Sequence, residues 1–337
     1  MKKLLIIRPK CQAGSPVYER TACFNEFFKE SNFDVDVETS PSNIVELFVL
    51  IKKIYKTKTD YLFVTMPPFR NWSLCFLPFV KTVLDIRDGW SIAIKDGYGG
   101  LAKPNKIKAF IARCIEKISI RHSYATITCT PGLQRHLNQL SKNKIFLVRN
   151  GISRHDYELA KKIIIERNKK LEFVPASDFI KFVCAGKFSE YGKDKVYKII
   201  DVINQRYLDR QCILQLIGCD RHDNKWVCEY VEKEKKSNII KVEILPRLDK
   251  LDLYKLMSEA FCAITVIRDP SYDFGTKIYD YLALELKYLD YFDSDNEFNS
   301  FFSAYSDLNN KLNGSEILIV REEILRKSDF IKFIIRG

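Results

Sequence analysis

The chain has 337 residues, 46% hydrophobic and 29% charged, with 55 Lys and Arg against 43 Asp and Glu for a formal net charge of +12. That composition excludes a disordered or fibrous chain, and the length suits two domains better than a single core. The positive excess points to an anionic partner: nucleotide phosphates, a phospholipid surface or nucleic acid.

The run Lys2 to Ile7 predicts a first buried strand, because Arg8 and Pro9 end it too early for a signal peptide. No stretch reaches the roughly 18 apolar residues of a membrane-spanning helix. A helix over 18–30, a strand over 33–38, a helix over 44–55 and a strand over 61–65 follow. Strand 83–86, helix 106–121, strand 125–129, helix 133–140 and strand 145–148 continue the pattern. This alternation is that of a parallel sheet with crossover helices. The rhythm breaks near Asn150-Gly151, and 161–170 with the polar stretch to Asp178 predicts a connection between domains. A second series then runs strand 179–185, helix 194–207, strand 212–217, helix 226–235, strand 240–245, helix 251–260, strand 262–266 and helix 276–284. The expected domains are 1–155 and 156–337, with the last helix, at Phe330 to Arg336, a candidate to cross back to the first domain.

Two segments concentrate the basic charge. Ile44 to Lys58 mixes Leu47, Val49, Leu50, Ile51 and Ile54 with Lys52, Lys53, Lys56 and Lys58. Lys103 to Arg121 carries Lys and Arg around Ile107, Phe110, Ile111, Ile115 and Ile118, with Glu116 as its single acid. Basic amphipathic helices of this kind suit an anionic membrane surface, and packed helices with solvated lysines are the alternative reading. The 10 cysteines are scattered without a CxxC pair, which fits reduced thiols in the cytoplasm, with disulfides in an oxidising compartment the alternative for an even count. The four histidines have no metal-ligand spacing, and Asp34-Val-Asp36 reads as alternation within a strand, so neither a metal nor a cofactor is expected.

Asp85-Ile-Arg87-Asp88-Gly-Trp90 places charged groups at the carboxyl end of a buried strand, where open α/β sheets bind ligands. Asp85 and Asp88 are the candidates for acid or base work; the alternative is that Asp85 caps the next turn and Asp88 pairs with Arg87. Gly186 to Lys193 follows a strand and precedes a helix. Its backbone amides with Lys187 and Lys193 suit a diphosphate, and a turn with solvated lysines is the competing account. As a P-loop it fails, with five residues between its glycines and Asp194 in place of Ser or Thr. Gly97-Tyr-Gly99-Gly-Leu-Ala102 fits G-x-G-x-x-A formally but lacks the strand–turn–helix setting that gives that motif its meaning. Thr276-Lys277-Ile-Tyr-Asp280 opens a helix, with Lys277 and Asp280 on one face at spacing i, i+3 beside an amino terminus suited to phosphate.

Together these segments resemble glycosyltransferases of the GT-B architecture, and most of all the retaining family 4 of bacterial surface polysaccharide synthesis. Thr65-Met-Pro-Pro68 resembles that family's strand-end diproline, and Val83 to Trp90 its D-x-R-D-x-W segment. Thr130-Pro-Gly132, Val148-Arg-Asn-Gly-Ile152, Ala185-Gly-Lys187, Leu216-Ile-Gly218 and the K-I-x-E-Y-L-A-like Lys277 to Ala283 follow in the family's order, covering roughly 60–285. The resemblance implies an α/β fold of two Rossmann-like doubly wound domains facing each other across a cleft. It implies that Asp280, in place of the usual glutamate, bonds the ribose of a nucleoside-diphosphate sugar. Gly14, Ser15, Gly186, Lys187 and Lys193 would hold the diphosphate, with Thr276 and Lys277 beside it, and Asp85, Arg87 and Asp88 would line the sugar and acceptor side. The glutamate usual eight residues before Asp280 is Tyr272 here, with Asp273 adjacent to compensate.

The implied reaction is sugar transfer, preferably from a UDP-sugar, to a glycan or undecaprenyl-diphosphate-linked acceptor, without a metal. It would take place in the cytoplasm, peripheral to an anionic membrane. No recognised nucleic-acid-binding motif is present, and no nucleic acid is expected as a partner. A GT-B-like UDP-sugar epimerase and a non-catalytic nucleotide- or nucleic-acid-binding protein remain the alternatives.

Overall fold

The computed structural model describes residues 1–100, 102–171, 179–234, 238–289, 291–292, 296–307 and 317–336. The described residues form two compact units, one within Met1–Tyr98, Ala102–Gly151 and Val320–Gly337, the other within Gly99–Leu101 and Ile152–Ile319.

The first unit runs β1 (Lys2–Arg8), α1 (Pro16–Glu30), β2 (Phe33–Thr39), α2 (Ile44–Thr57) and β3 (Tyr61–Met66). A 3-10 helix (Phe69–Phe76), β4 (Lys81–Ile86), α3 (Trp90–Lys95), α4 (Gly97–Gly100), α5 (Lys106–His122), β5 (Ala125–Thr128), α6 (Pro131–Asn138) and β6 (Ile145–Leu147) follow. Among the described residues its six strands are parallel, in the order β2-β1-β3-β4-β5-β6. Four helix starts, those of α1, α2, α5 and α6, are specified locally: Ser15, Asn43, Asn105 and Thr130 each accept a bond from the amide three residues on. Strands β3 and β4 are almost wholly buried because helices cover both sheet faces, and they read as near-continuous apolar runs. One face is covered by α1, through Phe24 and Phe28. The other is covered by α2 (Leu50, Ile54), the 3-10 helix (Leu74, Cys75), α5 (Ile120) and α6 (Leu133, Leu137).

The second unit runs α7 (Arg154–Leu171), β7 (Phe179–Ala185), α8 (Lys193–Arg206), β8 (Gln211–Ile217), α9 (Arg221–Lys233), β9 (Ile239–Leu245) and α10 (Lys250–Ser258). It continues through β10 (Cys262–Ile264), α11 (Lys277–Ala283), β11 (Tyr288–Leu289) and α12 (Glu297–Phe302). Among the described residues its five strands are parallel, in the order β11-β10-β7-β8-β9. The chain then returns to the first unit with α13 (Arg321–Lys327) and α14 (Asp329–Arg336), where Leu325, Phe330, Ile331 and Ile334 join α1 on its sheet face.

The expected connection over 161–170 is instead part of helix α7. Its charged residues hide a buried stripe of Ala160, Ile163 and Ile164, which packs it into the second unit beside α10 and α11. The rest of the expected connection, 172–178, lies outside the described residues.

In both sheets the strand order reverses at one point, between β1 and β3 in the first unit and between β7 and β10 in the second. A doubly wound sheet opens a crevice at such a point, outside the carboxyl ends of its strands. That rule selects the loops after β1, β3, β7 and β10 as the places to look for function.

Candidate functional site

The second unit brings several of the sequence-predicted residues to its switch point. Asp280 is buried on α11, and its two oxygens gather cations from two helices. Lys250 Nζ donates to Oδ1 at 2.9 Å, Tyr254 Oη donates to Oδ1 at 2.6 Å, and Lys277 Nζ donates to Oδ2 at 3.1 Å. Lys250 also reaches Asp156 Oδ2 at 3.3 Å, tying α7 into the cluster. Burial would push the Asp280 carboxyl up, but Lys277, Lys250 and the Tyr254 hydroxyl outweigh it and hold the acid below its ordinary range. Burial likewise opposes charge on Lys250, and Asp280 and Asp156 outweigh it, leaving that ammonium raised. The lysine side chains remain 35% and 39% exposed, so the cluster presents two held cations to whatever occupies the crevice.

The loop after β7 departs from its expected role. Its amides are largely committed within the protein: Gly186 N donates to Ile217 O, Phe188 N to Glu190 Oε2, Ser189 N to Asn224 Oδ1 and Gly192 N to Ser189 O. The backbone cradle expected there is reduced, and the exposed side chains Lys187 and Lys193 carry what anion affinity the loop has. Lys187 Nζ lies 5.4 Å from the Tyr191 ring centre and Lys193 Nζ 4.8 Å from that of Trp226, which gives each an aromatic rest. Gly186, at φ +98° with open space around its Cβ position, keeps the crevice side of the loop clear. In the loop after β10, Asp273 Oδ1 accepts from Gly275 N at 2.9 Å and its Oδ2 lies 3.9 Å from Arg268 Nε, while Thr276 precedes α11 without a side-chain cap bond.

In the first unit, Asp85 is completely buried at the end of β4. Both of its oxygens accept from Arg20 of α1, at 2.8 to 3.1 Å, and Arg20 also donates to Val148 O and Asn150 Oδ1. Burial disfavours charge on Arg20, but Asp85 outweighs it and raises the guanidinium further. The expectation that Asp85 does acid or base work is corrected by this placement: a carboxylate with no exposure and a forked guanidinium partner is a strut. It fixes α1 to the carboxyl ends of β4 and β6.

Arg87 and Asp88, two and three residues further on, leave the core and are half-buried, and the Arg87 Nε has no hydrogen-bond partner among the described residues. Gly14 stands in the loop after β1 at φ +78° with open space around it, and Ser15 is spent capping α1 through Tyr18 N at 3.3 Å.

The sequence reading missed Arg20, Lys250, Tyr254, Asp156 and Glu116. Glu116, the one acid of α5, turns inward and accepts from Trp90 N at 2.7 Å, from Ser91 N at 3.3 Å and from the Ser91 hydroxyl, so it caps α3 from another helix. Burial raises its carboxyl against those bonds. A lone acid in a basic helix was the visible signal for this inward role, whereas Lys250 and Tyr254 carry no comparable mark.

No family model matches the sequence, and no curated protein matches it. Solved structures do. Sucrose-phosphate synthase from Thermosynechococcus elongatus aligns over 86% of this chain and 81% of its own, at a TM-score of 0.59 and 13% identity. HepE of Anabaena, in complex with UDP and glucose, aligns over 90% and 83% at 0.57 and 12%. A glycosyltransferase from Rickettsia africae aligns over 86% and 79% at 0.57 and 13%. At such identity the shared property is the fold: this chain has the GT-B fold of two Rossmann-like, parallel-sheet α/β domains.

Proposed function

We propose that the protein is a glycosyltransferase that moves a sugar from a nucleoside-diphosphate sugar, preferably UDP-linked, to a glycan or undecaprenyl-diphosphate-linked saccharide. The observation that carries this reading is the Asp280 cluster, with Lys250 and Lys277 held at the switch point of a GT-B domain. In the transfer, the bond from the sugar anomeric carbon to the phosphate oxygen breaks and a bond to an acceptor hydroxyl oxygen forms. The acceptor loses its proton, and the diphosphate leaves with one more negative charge. Lys250, Lys277 and Lys187 supply fixed positive charge where that charge develops, which favours the transition state over bound donor.

An ionised carboxylate has about four acceptor sites. Tyr254 and Lys250 fill Oδ1 of Asp280, while Oδ2 keeps one site beside Lys277 for a ribose hydroxyl. Arg87 and Asp88 of the first unit are assigned to the sugar and acceptor. Retention of configuration, membership of family 4 and a role in bacterial surface polysaccharide assembly follow from the resemblance of the segments Thr65 to Pro68, Val83 to Trp90 and Lys277 to Ala283. With that acceptor, the proposed place of work is the cytoplasm, peripheral to an anionic membrane. No helix among the described residues is long and apolar enough to cross one.

The test is a thermal-shift panel of UDP, GDP, CDP, CMP, ADP and NAD on the protein and on Lys187→Ala and Asp280→Ala. One diphosphate at a hundred times its Kd adds about 2.7 kcal/mol and raises the melting temperature, and both variants should lose that gain. Stabilisation by NAD alone, or by nothing in the panel, removes the transferase reading. Consumption of a UDP-sugar without any acceptor turns it into an epimerase.

A further inference from the structure

The outer surface of the first unit carries an apolar face that the core does not need. On α5, Leu-sized and larger residues point both ways. Ile120 with Ala109 and Ala112 are buried, whereas Ile107 is 75% exposed, Phe110 68%, and Ile111 and Ile118 are exposed on the same outward stripe. The α2 helix repeats this division, with Leu50 and Ile54 inward and Ile44, Val45, Phe48 and Val49 outward, each about two-thirds exposed. The two helices cover the same sheet face, and ring contacts bridge them across the intervening segment. Tyr55 of α2 meets Phe79 at 5.6 Å between centroids, and Phe76 meets His122 of α5 at 4.6 Å. Phe76 and Phe79 are themselves exposed. Outward apolar residues therefore stand on both helices that cover this sheet face and on the segment between them, more than the singly scattered exposed side chains of an ordinary soluble face.

The charge on this surface is predominantly positive. Lys106, Lys108, Arg113, Lys117 and Arg121 of α5 are exposed, and the helix's only acid, Glu116, is turned inward onto α3. Lys52 and Lys56 are exposed on α2, where Glu46 is engaged with Ser42 and Asn43 at the helix start.

We propose that the α2–α5 face docks on an anionic phospholipid bilayer, its aliphatic and phenyl groups entering the headgroup–acyl boundary and its lysines and arginines lying against the phosphates. Charge decides the occupant. A second copy packed face to face would set these cations against one another, whereas an anionic lipid surface neutralises them and takes the apolar groups as well. The inference deepens the membrane partner of the proposed function and rests on that reading for its purpose, though not for its geometry.

Vesicle flotation tests it, with phosphatidylcholine alone and with phosphatidylglycerol mixed in, at low and at 0.5 M salt. Two variants are compared with the unaltered chain: Ile107→Gln/Phe110→Gln/Ile111→Gln and Lys106→Gln/Lys108→Gln/Lys117→Gln. These side chains are exposed and glutamine is a good helix former, so unchanged melting temperatures are expected. The unaltered protein should float with anionic vesicles and be released by salt. Each cation removed should weaken binding roughly fivefold. The apolar variant should lose at least about tenfold, and the binding it keeps, carried by its lysines and arginines, should be released by salt.

Equal flotation of both variants and the unaltered chain overturns the proposal, as does no flotation at all. So does a dimer of the unaltered protein that the apolar variant turns into a monomer, or retention on RNA that vesicles do not compete. The vesicles contain no saccharide and the assay no nucleotide, so the result stands apart from the fate of the transferase reading. The nucleotide thermal shift should be the same in both variants.

Discussion

The two units place an aspartate at the carboxyl edge of a parallel sheet in two different ways. Asp85 of the first unit is sealed, with a guanidinium filling both oxygens and no exposure of either side chain beyond 3%. Asp280 of the second is buried too, but its partners are lysines that remain over a third exposed. A sealed pair can only hold elements together; an acid that orders reachable cations can also meet a ligand. Acidic residues at strand ends are therefore not equivalent, and what separates them is the exposure of the group they hold.

The same substitution at the two sites is the sharpest way to break this contrast. Asp85→Asn leaves Arg20 buried without its counter-charge and should cost about 3–5 kcal/mol, read as a lowered urea midpoint. A double change to apolar residues, Arg20→Met with Asp85→Leu, should recover most of that loss, since the penalty lies in the orphaned charge. Recovery would confirm a strut. A double variant as unstable as the single one would mean that the bonds from Arg20 to Val148 O and Asn150 carry the stability instead.

Asp280→Asn should cost less, about 1–3 kcal/mol, because Tyr254 can still donate to the amide oxygen and the lysines relax towards water. Its larger effect should fall on nucleotide affinity, measured by calorimetric titration. The pH window follows from the direction of the shift. Asp280 is held below its ordinary range, so its stabilisation is present above about pH 4, the unfolded value, and is lost as the pH falls through the lower folded value. Between pH 6 and 9 the urea midpoint should be indifferent to this residue's titration. A destabilisation as large as that of Asp85→Asn, with nucleotide affinity intact, would make Asp280 a second strut and end the distinction.

Much of the architecture was legible in the sequence because parallel strands buried on both faces read as apolar runs, and the amphipathic helices between them are punctuated by their caps. Helix α7 was not, since its buried stripe is only Ala160, Ile163 and Ile164 in a highly charged segment. The short α3 was hidden because its cap comes from Glu116, a residue on another helix. Charged groups at strand ends could be seen, but not their partners. Arg20 and Asp85 are 65 residues apart, and Lys250 and Asp280 are 30 apart, so only the fold pairs them. The basic helices posed a question that periodicity cannot answer. Residues such as Leu50 and Phe48 are equally apolar, and only the sheet decides which of them it covers.

A third, weaker site lies between the two extremes of exposure and gives the smallest expected effect. His136 of α6 is half-buried, with its Nε2 3.4 Å from the Ser91 hydroxyl that Glu116 accepts. Burial, then Arg113 and Lys95, lower it to about 4. Its unfolded value is near 6.5, so the unfolded chain binds the extra proton first, and stability is lost as the pH falls from about 6.5 towards 4. After allowance for its partial exposure, the loss at pH 5 relative to pH 7.5 should be about 1 kcal/mol. His136→Gln should abolish that increment while leaving the midpoint at pH 7.5 little changed. Glu116 shifts the opposite way, its carboxyl raised by burial, so its protonation as the pH falls favours the folded state and subtracts from the histidine effect. Measuring His136→Gln alone and together with Glu116→Gln separates the two. If the acid-side slope survives in the histidine variant, then α3 is held indifferently to the charge of α6, and the cap from α5 is what fixes the Arg87–Asp88 loop.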